Sequence, residues 1–173
     1  MTFPHWSGPG VSHTAYSAAK FAVKGFTEAL INDLRLNAPH VKCSVVMPGH
    51  IGTSIVSNSR KVQNGTGSDR LSENEIEQAR VRLAAAGIDA SAMSDEDVQG
   101  LADERARSFR EEAPMTAAAA AKVILDGVKA GRWRILVGDD ANRLDERVRQ
   151  TPEHAYDAEF YQSFAAEVGW RLG

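Results

Sequence analysis

Tyr16 and Lys20 stand four residues apart in HTAYSAAKFAVKGFTEAL, residues 13–30 of the chain. In a helix, positions i and i+4 share a face, with Cβ atoms about 5–6 Å apart. A lone phenol is almost wholly protonated at neutral pH. An ammonium beside it favours the phenolate, and a tyrosine so placed can exchange a proton with an alcohol or carbonyl oxygen. The residues around the pair, Ala15, Ser17, Ala18 and Ala19, are small and leave room for a flat ligand to approach the backbone. A second patch is PGHIGT, residues 48–53. Pro48-Gly49 directly after a β-branched run places backbone at the carboxyl end of a strand, where ligands of open α/β sheets bind, and Thr53 adds a hydroxyl. Taken singly, neither patch is specific. Tyr-x-x-x-Lys recurs in many helices, and PGHIGT alone reads as an ordinary turn.

The elements that would position these residues follow from periodicity. Phe21, Val23, Phe26, Leu30, Ile31 and Leu34 recur at three- and four-residue steps, with Lys24, Glu28, Asn32 and Arg35 between them, which predicts a helix from about Tyr16 to Leu36. Val41 to Met47 predicts a short buried strand ended by Pro48-Gly49. Residues 54–70 are rich in Ser, Asn and Gly and read as a mobile loop, with an Asn64-Gly65 turn. Two polar helices are expected next. One is capped at Ser72 with Glu75 as a capping box and runs to about Ala86; the other is capped at Ser94 with Asp97 and runs to about Glu112. An alanine-rich helix from Thr116 to Ala130, ended by Gly131, leads into a second strand at 132–138. Charged helical pieces at about 141–149 and 157–168 close the chain. Helix, strand, polar insert, helix, strand is the wiring of a parallel α/β sheet. Two strands are marginal alone, so the chain reads as part of a larger sheet. The expected organisation is one partial domain over 1–173 with an insert at 54–112.

In combination, Tyr16-Ser17-Ala18-Ala19-Lys20 and the spacing to Pro48-Gly49 and Thr53 resemble the short-chain dehydrogenase/reductase family. The resemblance runs from about Thr14 to Thr53 and continues more weakly to residue 138. It implies the C-terminal half of a doubly wound, Rossmann-like parallel sheet with a polar helical insert. It also implies NAD or NADP as cofactor and a small alcohol or carbonyl compound as substrate. Tyr16 would be the general acid/base on the substrate oxygen. Lys20 would assist it and hydrogen-bond the nicotinamide ribose. The backbone at Pro48, Gly49 and Ile51 and the hydroxyl of Thr53 would hold the carboxamide or phosphate side of NAD(P), and segment 54–112 would cover the substrate. A dimer or tetramer built through the helix that carries the pair is implied as well. The family's glycine-rich phosphate loop has no counterpart here, because Gly65-Thr66-Gly67 follows no strand. The position of the family's serine holds Phe3, with Ser7 and Ser12 nearer to the tyrosine. The expectation is a truncated form of a longer enzyme, inactive alone. The alternatives are a non-catalytic oligomerisation module that keeps the helix for packing, or a relative of nucleotide-sugar epimerases and dehydratases.

Composition bounds the rest. The chain has 173 residues, 43% hydrophobic and 25% charged, with a net charge of −3, which steers it to neither nucleic acid nor anionic membrane. Cys43 is the single cysteine, so no disulfide framework is expected. The five histidines show no metal-ligand spacing and read as surface or loop residues, with His13 and His50 flanking the site. The tryptophans read as packing residues. No apolar run reaches membrane-spanning length, and the N-terminal stretch lacks the marks of a secretory signal. A cytoplasmic location is expected.

Overall fold

In the computed structural model, which describes residues 14–170 apart from 64, 66 and 86, the elements in chain order are α1 (Thr14–Asn37), β1 (Val45–Pro48), β2 (Ile51–Gly52), α2 (Ile55–Gln63), α3 (Glu73–Ala85), α4 (Asp95–Glu111), β3 (Met115–Thr116), α5 (Ala117–Lys129), β4 (Arg134–Val137), α6 (Asp139–Gln150), a 3-10 turn (Pro152–His154) and α7 (Ala158–Val168). Phe3, Ser7, Ser12, His13, Trp6 and the Asn64 side of the predicted turn lie outside the described residues. The chain forms two compact units, residues 52–113 and the remainder.

The unit made of 1–51 and 114–173 is a mixed α/β arrangement around two parallel strands. β1 pairs with β4 in the register Val45↔Arg134 to Pro48↔Val137. The first strand begins at Val45, later than the Val41 that β-branching suggested. Its ladder can extend only as far as its partner, and β4 begins at Arg134. Ahead of it, single bonds continue the pairing: Val45 N–H donates to the Trp133 carbonyl at 2.7 Å and Ser44 Oγ to the Arg132 carbonyl at 2.8 Å. One core gathers Ala120, Ile135 and Val137, with Val46, Ile51, Met115, Val123 and Ile124 packed against it. The helix that feeds it, α5, starts with the Thr116 side chain accepting from Ala119 N–H and ends at Gly131 in a left-handed conformation. A second core joins Leu144, Phe160, Phe164 and Trp170, and the Arg147 guanidinium lies 4.7 Å from the centre of the Phe160 ring. Helix α1 buries none of its residues. Val23, Phe26 and Leu36 are 62%, 69% and 83% exposed.

Arg134 of β4 binds Asp145 of α6, whose other oxygen accepts from Arg149 at 2.9 Å. Burial pushes the Asp145 carboxyl up, but hydrogen bonds and charge from the two guanidiniums outweigh it and hold the carboxyl below the usual carboxylate range. A depressed folded-state value contributes stability that is present above the unfolded value, near 4, and lost as pH falls through the folded value. Asp145→Ala is therefore expected to lower stability by about 2–4 kcal/mol at pH 7, since it strands the largely buried Arg134 guanidinium. The gap to the parent should narrow in urea titrations below about pH 4. A gap that stays constant down to pH 2 would contradict the assignment.

In the unit of residues 52–113, both predicted capping boxes are present. Ser72 N–H donates to Glu75 Oε2 at 2.8 Å, and the Ser94 side chain and Asp97 cap one another's backbone. The stretch 54–70 differs from expectation, because residues Ile55–Gln63 are helical. Its Ser and Asn content is poor for a helix, but Arg60 ties it down by donating to the Asp69 carbonyl at 2.9 Å and pairing with Asp103 of α4 at 3.2 Å. Tertiary contacts override local propensity here. Arg80 pins the loop between α3 and α4 through the carbonyls of Ala90 and Met93 and the carboxylate of Asp95.

Candidate active site

Helix α1 begins at Thr14, so Tyr16 and Lys20 both lie in its first two turns. The Lys20 ammonium sits 5.3 Å from the centre of the Tyr16 ring, on the same helix face. The ring is 42% exposed and reachable from solvent. The next lysine along, Lys24, is drawn instead to Glu28 at 2.9 Å. Of the residues singled out from sequence, the structure thus brings Tyr16 and Lys20 together.

Pro48, Gly49 and Ile51 mark the carboxyl end of β1 in the same unit, while Thr53 belongs to the unit of 52–113. The backbone after Pro48 is less open than its sequence suggests. Gly49 N–H donates to the Val137 carbonyl at 2.9 Å, and His50 N–H donates to Asp140 Oδ2 at 2.6 Å. These two donors are engaged within the fold. His50 lies in the loop after β1, as expected, and is buried there at 7% exposed. Its turn is gripped from the start of α6.

The residue that grips it, Asp140, escaped sequence reasoning. It is the second residue of α6 and only 4% exposed. Its Oδ1 accepts from Ala141 N–H at 2.9 Å, and its Oδ2 accepts from His50 N–H and from Trp170 Nε1–H at 2.9 Å. A signal for it existed. Parallel strands end on one side, so Gly138-Asp139-Asp140 after β4 must come level with Gly49-His50 after β1. Trp170, read as packing, does pack edge-on against Phe164 at 5.3 Å, and it also donates this hydrogen bond. Among the described residues, no group of three His, Cys, Asp or Glu side chains could hold a metal ion, and no helix is long and apolar enough to cross a membrane.

The sequence pattern of the family described as short chain dehydrogenase matches residues 7–64, the stretch that carries α1, β1 and the turn after it. Two proteins named "Putative oxidoreductase SadH", from the CDC 1551 / Oshkosh and ATCC 25618 / H37Rv strains of Mycobacterium tuberculosis, are each 32% identical to the chain over 141 residues. Those residues are 82% of this chain and 38% of each relative. The chain therefore spans well under half the length of the relatives it matches. No solved structure matches it. The short-chain dehydrogenase match covers the Tyr16–Lys20 pair and Pro48 to Thr53, and the likeness to the two relatives reaches beyond it.

Proposed function

We propose that this chain supplies the proton-transfer half of an NAD(P)-dependent oxidoreductase that acts on an alcohol or carbonyl group. The observation that carries the reading is the Lys20 ammonium stationed at the Tyr16 ring, 5.3 Å from its centre, on an exposed helix start. Tyr16 gives a proton to, or takes one from, the substrate oxygen, and Lys20 stabilises the charge that forms on the phenol. The donor types suit the ribose and nicotinamide end of a dinucleotide: an ammonium and strand-end backbone. Lys20 and the backbone at Ile51 would hold that end, and the cofactor would supply hydride transfer at the carbon that bears the oxygen. The fit does not extend to the pyrophosphate, for which no glycine-rich turn follows a strand among the described residues.

The test has two arms. The purified chain alone is expected to oxidise no secondary alcohol with NAD or NADP above a Tyr16→Phe control. A protein that joins the chain to a dinucleotide-binding half is expected to do so. Turnover by the chain alone above that control would overturn the missing-phosphate argument. A joined enzyme indifferent to Tyr16→Phe would overturn the assignment of the proton-transfer residue.

Self-association belongs to the same proposal. The apolar residues of α1 stay exposed, Phe26 at 69% among them, and covering roughly 1,000 Å² of such surface is worth about 25 kcal/mol before the costs of association. A dimer or tetramer is expected by light scattering at micromolar concentration. A well-folded monomer with a cooperative melt would refute it.

A further inference from the structure

We infer that Asp140 is a positioning residue for the turn at the end of β1, and that Trp170 makes the C-terminal segment part of the support for the site. The inference rests on reading residues 48–53 as the cofactor-side loop. The His50 N–H and the Asp140 carboxylate are 90 residues apart in sequence and meet at 2.6 Å in a buried setting. Each carboxylate oxygen has its own work: Oδ1 receives Ala141 N–H, and Oδ2 receives both His50 N–H and Trp170 Nε1–H. The turn is shaped to admit the group. A Cβ on Gly49 would lie 2.2 Å from Asp140 Oδ1, and one on Gly138 would lie 2.3 Å from it. Two glycines thus clear the space that one carboxylate fills. The direction of the backbone leading into Ile51 is thus held by a residue of α6. Trp170 follows Gly169, whose left-handed conformation ends α7, and its ring is held by Phe164. The indole N–H thus arrives from the end of α7, 30 residues beyond Asp140.

Trp170→Phe is the decisive variant, because it removes the Nε1–H donor while leaving a smaller aromatic ring to pack on Phe164. Asp140→Asn is the second, leaving one acceptor oxygen in place of two. The probes are backbone-amide exchange on the isotope-labelled 173-residue chain and NMR titration with NADH at millimolar concentration. In the parent chain, the His50 amide is expected to exchange slowly, and NADH to shift the amides of residues 49–53. In Trp170→Phe, His50 exchange should quicken about ten-fold, and the NADH response should need a higher concentration. Amides of Val45 to Met47 should keep their parent rates, which a general loss of stability would not allow. Asp140→Asn should act in the same direction and more strongly. Unchanged His50 exchange and an unchanged NADH titration in both variants would overturn the inference, as would a uniform quickening along β1 and β4. A parent chain that protects His50 but shows no shift at 49–53 with NADH would overturn the cofactor-loop reading and with it the positioning role, while the His50–Asp140 bond itself would stand.

Discussion

In an enzyme that joins this chain to a dinucleotide-binding half, Tyr16→Phe is expected to lower kcat by about 10²–10⁴-fold, or about 3–5 kcal/mol of transition-state stabilisation, with cofactor affinity nearly unchanged. The substitution removes one hydroxyl from a ring that is 42% exposed and belongs to no buried core, so folding should be unaffected. Lys20→Ala is expected to behave differently and reduce both kcat and cofactor affinity. Its ammonium stands at the tyrosine ring and, in the proposed arrangement, also bonds the ribose. Transient kinetics with a separate measurement of cofactor binding resolves the two. Equal losses of cofactor affinity in both variants would contradict the division of labour.

Gly138→Ala should give the largest single loss of stability, about 3–5 kcal/mol, because a Gly-only backbone conformation and a steric collision act together. Gly138 has φ +105° and ψ 148°, a region that side-chain-bearing residues scarcely enter. Its added Cβ would stand 2.3 Å from Asp140 Oδ1. That oxygen has no freedom to move aside, since the carboxylate accepts from Ala141, His50 and Trp170 at once. Gly131→Ala is the internal control. It too has positive φ, +67°, but open space around the added carbon, so it should lose only about 1–2 kcal/mol. Urea midpoints compared at constant m-value measure both. Equal losses for the two variants would mean that the crowding at Asp140 contributes nothing.

The parts of this chain that were legible in sequence are those determined within a few residues. The Ser72–Glu75 and Ser94–Asp97 caps, the alanine-rich helix ended by Gly131 and the shared face of Tyr16 and Lys20 each depend on one or two helical turns. What sequence reasoning missed depends on distant partners. Helix α2 forms in a stretch of poor propensity because Arg60 finds Asp103 across the unit. Strand β1 begins at Val45 because β4 begins at Arg134. The turn at Gly49-His50 looked like open backbone because its acceptor, Asp140, lies 90 residues away. Two adjacent aspartates after a strand carry no local mark that tells which of them turns inward. The parallel register sets both strand ends level, and only the fold shows that Asp140, 4% exposed, is the one turned inward.

The same parallel pairing sets an order of events while the chain is being made. Ser44 and Arg132, the first bonded pair ahead of the ladder, are 88 residues apart. At roughly 5–20 residues per second, the ribosome leaves β1 without its partner for on the order of 5–15 s. Helices such as α3 and α4 need only microseconds and close on themselves in that interval. Once residues 52–113 have condensed, the loop that β1 and β4 must close is shorter than the sequence implies, which lowers its entropic cost. Until then an apolar strand edge is open to any other nascent chain. The cell's opportunity to lose this protein to aggregation lies in that window, before Arg134 emerges.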